Sequence, residues 1–139
     1  MVTAGKPWVP DRRDMIWIDF SPQVGGEMKD EHPMMVLSPK AFNERTNLVI
    51  GLPMTHGRSN DTNPFAVRFK TSKGEVSYVL AHQPKSFAWR DRGGRPHPWK
   101  QVPPAVFEAA CEELNPLAKL GSSNIFWEPP ERIDMESMR

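Results

Sequence analysis

The sequence predicts a mainly β protein with minor α: a small, strongly bent barrel with one late helix packed on it. Three observations predict it. Fifteen prolines are spread through 139 residues, which disfavours long helices and favours short strands joined by fixed turns. Between residues 15 and 81, short runs alternate their apolar side chains at strand period. Only after Pro103-Pro104 does a helical stripe appear, with Phe107, Ala110, Leu114 and Leu117 at steps of three and four.

Residues 15–20 open the pattern, with Ile16, Ile18 and Phe20 on one face and Met15, Trp17 and Asp19 on the other. Both faces are mostly apolar, as a strand of a small closed barrel requires. Residues 34–37 form an apolar run too short for a helix. Ser38-Pro39 then reads as the cap and first position of a helical turn through Glu44. The third strand covers 48–55, with Gly51 expected to mark a bulge or tight bend. After a polar loop at 56–63, residues 64–69 give a fourth strand. Thr71-Ser72-Lys73-Gly74 makes a hairpin turn into a fifth strand at 75–81. Residues 85–92 form a short element whose Phe87 and Trp89 either stack on bases or pack in the core or a dimer interface. Gly93-Gly94-Arg95-Pro96-His97-Pro98 is expected to break regular structure, leaving His97, like His56, solvated in a loop. In the helix, Pro116 is expected to kink or interrupt the pattern near Leu114. Gly121-Ser122-Ser123-Asn124 reads as a stop, dividing the chain into one domain, 1–120, and an acidic tail, 121–139.

Composition narrows the function classes. Lys and Arg number 18 against 17 Asp and Glu, so global charge names no partner. The distribution is less even: residues 56–100 carry nine basic and three acidic side chains, residues 101–139 three and seven. A basic middle beside an acidic end fits either a polyanion-binding face or ordinary solvated loops. One cysteine, Cys111, excludes an internal disulfide framework and a cysteine-based zinc site. No two histidines stand at ligand spacing, so no metal site is expected. With no run of about 18 apolar residues and no signal-like start, a cytoplasmic protein without a membrane partner is expected.

The stretch 20–39 carries the candidate chemistry. Gly25-Gly26 allows a loop that other residues could not follow, and Pro33 biases His32 toward an extended conformation. Glu27 and His32 stand five positions apart, a pairing that suits either proton transfer or a solvated hairpin loop.

Longer segments resemble a known family. Asp14-Met15-Ile16-Trp17-Ile18-Asp19-Phe20-Ser21-Pro22-Gln23-Val24-Gly25-Gly26-Glu27 and His32-Pro33-Met34-Met35-Val36-Leu37-Ser38-Pro39, with Phe42-Asn43, are similar to the opening of the MazF/PemK toxins. Leu52-Pro53-Met54-Thr55, Asn63-Pro64-Phe65-Ala66-Val67 and Val79-Leu80-Ala81-His82-Gln83-Pro84-Lys85-Ser86-Phe87-Ala88-Trp89-Arg90 follow in matching order. The resemblance covers roughly residues 9 to 120. It implies an SH3-like barrel with a C-terminal helix, acting as a homodimer and restrained by a cognate antitoxin. The implied activity is cleavage of single-stranded RNA, mostly mRNA, without metal or cofactor. The ribose 2'-hydroxyl attacks the adjacent phosphorus, leaving a cyclic phosphate and a 5'-hydroxyl.

Carried across, the resemblance implies Glu27 as the loop acid and Thr55 as the threonine that hydrogen-bonds the phosphate. It also implies Gln83, beside Lys85, as the glutamine after the fifth strand. Three positions depart from the pattern. Asp30 and His32 stand where a glycine and an arginine are usual, and His82 stands for the aspartate before Gln83. A guanidinium is a permanent two-pronged phosphate clamp, whereas an imidazole exchanges protons near neutral pH. His32 therefore joins Glu27 and Thr55 as a catalytic candidate, with His82 as a possible complement. Arg58 and Arg90, with His82, Gln83 and Lys85, are the RNA-binding candidates. Three readings compete: an endoribonuclease toxin, a weak or inactive RNA-binding relative, and a non-catalytic gyrase-inhibiting toxin on the same barrel.

Overall fold

The computed structural model describes residues 7–21, 30–71 and 73–118. The strands are β1 (Asp14–Asp19), β2 (Glu31–Val36), β3 (Leu48–Thr55), β4 (Ala66–Lys70), β5 (Val76–Leu80), β6 (Lys85–Ala88) and β7 (Arg95–Gln101). Helix α1 (Lys40–Thr46) joins β2 to β3, a 3-10 turn (Arg58–Thr62) follows β3, and α2 (Pro104–Ala118) closes the order. The strands run β4-β5-β3-β2-β1-β7, with β6 added on β3, and every pairing is antiparallel. The sheet curls into a half-barrel with the C-terminal helix on one side.

Strand β3 is shared by three neighbours. Its first half pairs with β6, from Leu48–Ala88 to Gly51–Lys85, and its second half with β5 at Met54–Val79 and Thr55–Tyr78. Its other edge takes β2 from Met34–Pro53 to Val36–Gly51. Partners across a ladder share a face, so the register sorts the core into two clusters. On one face Ile16, Ile18, Met34, Val36, Val49 and Phe87 pack with Val9, Phe20 and Trp89. On the other, Met15, Met35, Leu52, Met54 and Val79 pack with Ala81, Val102 and the α2 residues Ala110 and Leu114. Apolar residues on both faces of β1 follow from this two-sided burial. Phe87 and Trp89 are both buried, so packing is their use.

At seven residues, α1 is too short to stand alone, and a buried polar network ties it down. Asn43 Nδ2 donates to the Pro10 and Ser38 carbonyls at 2.8 and 3.0 Å, and Trp89 Nε1 donates to the Asn43 carbonyl at 2.9 Å. Ser38 was expected to cap this helix, but Pro39 holds the N-cap position without a side-chain bond. The Ser38 hydroxyl instead turns inward, donating to Asn43 Oδ1 at 2.5 Å and accepting the Ile50 N–H at 2.9 Å.

Several expectations are corrected. Residues 93–98 do not end regular structure, because β7 begins at Arg95. Its prolines are tolerated because β7 is an edge strand whose register against β1 shifts between the Ile16–Pro96 and Asp14–Gln101 pairs. His97 is buried rather than solvated. Gly51 marks a close approach and keeps the ladder in register: an added Cβ would lie 2.5 Å from the Met35 carbonyl oxygen and 2.7 Å from Met34 Sδ. Helix α2 is not interrupted near Leu114 but runs through Pro116 to Ala118, where the proline removes one hydrogen bond from the last turn. Leu117 is exposed, so the packed stripe ends at Leu114. Cys111 is half-buried on α2 and burial pushes its thiol pKa up, consistent with packing. Among the described residues, no helix is long and apolar enough to cross a membrane. Glu27 and the tail 121–139 lie outside the described residues.

Candidate functional site

The site is built from strand register. Ile18 pairs with His32, Thr55 with Tyr78, and Tyr78 with Arg68. The β2–β3 register, carried two residues past its last pair at Met34–Pro53, sets His32 opposite Thr55. His32, Thr55, Tyr78 and Arg68 therefore form one cross-strand row on the face away from α2. With adjacent strands about 4.8 Å apart, the row spans about 14 Å. His32 was expected on a loop, but β2 already begins at Glu31. Its ring meets the buried Phe20 edge-on at 6.1 Å, which limits its rotamers.

Thr55 ends β3 half-buried. Its hydroxyl oxygen accepts the Gly57 N–H at 3.1 Å, while its own O–H has no acceptor among the described residues. A donor oriented by one bond and unspent in the other direction suits a phosphoryl oxygen. Next in the row, the buried Tyr78 donates its hydroxyl to Asp61 on the 3-10 turn. Asp61 also pairs with Arg58 at 3.2 Å and with Arg68 at 3.7 Å. The Tyr78 hydroxyl, followed by Arg58, holds the Asp61 carboxyl below its usual pKa. Asp61 thus remains an anion that gathers two guanidinium groups at the β4 end of the row. Tyr78, Asp61 and the Arg68 placement emerge only from register. The visible signal was the basic excess over 56–100, which does not say which cations share a face.

The two ends of the loop carrying Glu27 are held together. Phe20 N donates to the Asp30 carbonyl at 2.8 Å, and Asp30 N donates to Ser21 Oγ at 2.8 Å. Arg92 braces the same stem, its Nη1 donating to the Asp19 and Ser21 carbonyls at 3.0 and 2.6 Å. Asp30 adopts φ +67°, in the left-handed region that favours glycine. Its carboxylate accepts the Ser21 hydroxyl at 3.2 Å, a local bond of the kind that lets aspartate occupy such a position.

Other candidates fall elsewhere. Arg58 joins the site through Asp61. His82 and Gln83 follow β5, with His82 four residues from Tyr78, about 13 Å along the chain. Gln83 Nε2 meets His82 Nε2 at 3.3 Å, and His82 Nδ1 and Gln83 Oε1 are buried without a partner among the described residues. His82 thus lies beyond the Tyr78 position of the row rather than within it. Lys85 lies opposite Gly51, on the face of Thr55 but four residues back along β3. Arg90 sits at the far end of β3, bonded to Asn47 and stacked 4.1 Å over Trp89. Among the described residues, no three potential ligands cluster to hold a metal.

Comparison with known proteins identifies the fold's family. The family described as PemK-like, MazF-like toxin of type II toxin–antitoxin system matches residues 11–117. The chain belongs to that family. It is 38% identical over 86 residues to the endoribonuclease toxin MazF of Escherichia coli K12, covering 62% of this chain and 75% of that one. The crystal structure of MazF from Deinococcus radiodurans superposes with a TM-score of 0.72 at 32% identity, covering 80% of this chain and 97% of that one. A MazE–MazF structure from the same organism gives 0.70 at 30% identity, covering 83% and 100%. Asp30 thus takes a left-handed conformation at the position where the resemblance implies a glycine.

Proposed function

We propose that the chain is a sequence-selective, metal-independent endoribonuclease, the toxin of a toxin–antitoxin pair. This reading is supported by the β2–β3 register, which if continued past Met34–Pro53 sets His32 and Thr55 side by side on one sheet face, in a family whose relatives are named endoribonucleases. Thr55 donates its unspent O–H to a phosphoryl oxygen of single-stranded RNA, and Arg58 and Arg68 add positive charge beside it. Glu27 and His32 exchange the protons: one leaves the attacking 2'-hydroxyl, and one reaches the departing 5'-oxygen. The products are a cyclic phosphate and a 5'-hydroxyl. His82, Gln83 and Lys85 would contact RNA further along the face, and Arg90 at its far end. The working unit is a cytoplasmic homodimer held in check by a cognate antitoxin, a partner suggested by the MazE–MazF complexes. Residues 1–120 form the catalytic domain and 121–139 an appended acidic tail.

Incubation with long single-stranded RNA in EDTA tests this reading. Discrete fragments with 5'-hydroxyl ends are expected, and Glu27→Ala should lower their rate at least about 10²-fold. A second reading, RNA binding with weak cleavage, draws on His32 standing in place of arginine. Retained binding without fragments would favour it. Failure of both, with blocked supercoiling by gyrase, would favour a gyrase inhibitor.

A further inference from the structure

An open cavity of about 490 Å³ lies between the β4–β5 hairpin and β7, lined by Met15, Phe69, Lys70, Lys73, Trp99 and Gln101 among others. The proposed cleavage makes no use of it. One wall is a distortion of β7. This strand pairs with β1 at Pro96–Ile16 and again at Gln101–Asp14, so four β7 residues face one residue of β1. The bulge is braced. His97 stacks on Trp17 at 4.8 Å, and its Nδ1 accepts the Trp99 N–H at 3.0 Å. Lys100 takes up the turn with φ +66°. Bulges of this kind re-aim a side chain, and here it is Trp99 that reaches the cavity.

The other wall is cationic. Lys70 and Lys73 are exposed, and neither takes part in an ion pair among the described residues. Lys70 lies two residues beyond Arg68 on the same face of β4, about 6.6 Å away. Arg68 and Lys70 thus lead along the edge strand β4 from the Thr55 row to the rim of the cavity, whose aromatic wall of Phe69 and Trp99 belongs to the cluster on the α2 face, at a spacing close to that of successive phosphates on an extended strand.

We propose that this cavity is a subsite for one nucleotide of single-stranded RNA flanking the cut. The base packs against Trp99 and Phe69, and its phosphates lie against Lys70 and Lys73. The inference rests on reading the chain as an RNA-cleaving toxin. An acidic peptide bearing an aromatic residue would meet the same groups, but the cation track to Thr55 favours RNA.

Titrating the full chain with fully 2'-O-methylated, hence uncleavable, oligonucleotides of four and ten nucleotides tests it. Wild type should bind the longer strand at least about tenfold more tightly, and Trp99→Ala should lose that gain. The Lys70→Ala/Lys73→Ala double variant should lose it too and lower the salt slope of binding by about 1.4. Both lysines are exposed, so this variant remains decisive if Trp99→Ala unfolds in a thermal melt. An unchanged length gain and salt slope in the lysine variant would overturn the subsite and leave the RNA reading standing. No binding of either oligonucleotide to wild type would overturn both. A synthetic peptide of residues 121–139 provides the other arm. Binding of that peptide that the lysine variant abolishes, with no length gain for RNA, would assign the cavity to an acidic segment instead.

Discussion

The two halves of β3 treat their polar neighbours in opposite ways. Around the first half, Asn43 and Ser38 are buried, and their side chains bond to each other, to the Pro10 and Ser38 carbonyls and to Ile50. Around the second half, the Thr55 O–H and, beyond β5, two buried atoms of His82 and Gln83 have no partner among the described residues. A closed network rigidifies its surroundings; an open one leaves donors and acceptors for something else. The first half is mainly scaffold, with Lys85 and Arg90 at its margin, and the second carries the groups assigned to cleavage.

The sharpest way to break this contrast is at Thr55 and His32. Thr55→Val and His32→Ala should each lower the single-turnover cleavage rate at least about 10²-fold, while the Thr55 variant melts close to wild type. Wild-type rates would move the chemistry elsewhere. The converse case is Asn43→Ala, which strips partners from several buried groups and should cost about 3 kcal/mol in urea unfolding. Molecules that remain folded should cleave normally. Gly51→Ala drives a Cβ against the Met35 carbonyl and should cost about 1–3 kcal/mol, because backbone rather than a pliable side chain blocks it.

The smallest effect is a pH dependence. Burial, then the neighbouring His56, lowers the His97 pKa from 6.5. The unfolded chain takes up this proton near pH 6.5 while the folded chain still resists it, so stability should decline as pH falls through that value. The decline ends below the lowered folded-state pKa. His97→Gln, which keeps an acceptor for the Trp99 N–H, should flatten the decline in melts between about pH 7 and pH 5.

The contrast also marks how far sequence reasoning reached. Strands β1, β3 and β5 were legible as short, mostly buried apolar runs bounded by turn residues, and α2 because Ala110 and Leu114 repeat on one face. The last strand was not. Pro96 and Pro98 carry the local signal of a breaker, and only an edge position with a register shift makes them acceptable. Gly51 was singled out for the wrong reason, since local sequence does not show Met34 and Met35 crossing it. At the site, Thr55 and His32 were found through family resemblance. Tyr78, Asp61 and the Arg68 placement were not, because their proximity depends on pairing between strands far apart in the chain.

The β1–β7 pairing has a consequence for the order in which the protein is made. Asp14 has its ladder partner in Gln101, so the strand synthesised first waits for nearly the last segment of the sheet. At about 5–20 residues per second, that interval lasts several seconds. During it the His32–Thr55 row has one of its flanking strands but not the edge that closes the sheet. Such long-range closure is also slow in itself. A nascent toxin is thus unfinished for most of its synthesis, and its activity would switch on only with the final strand.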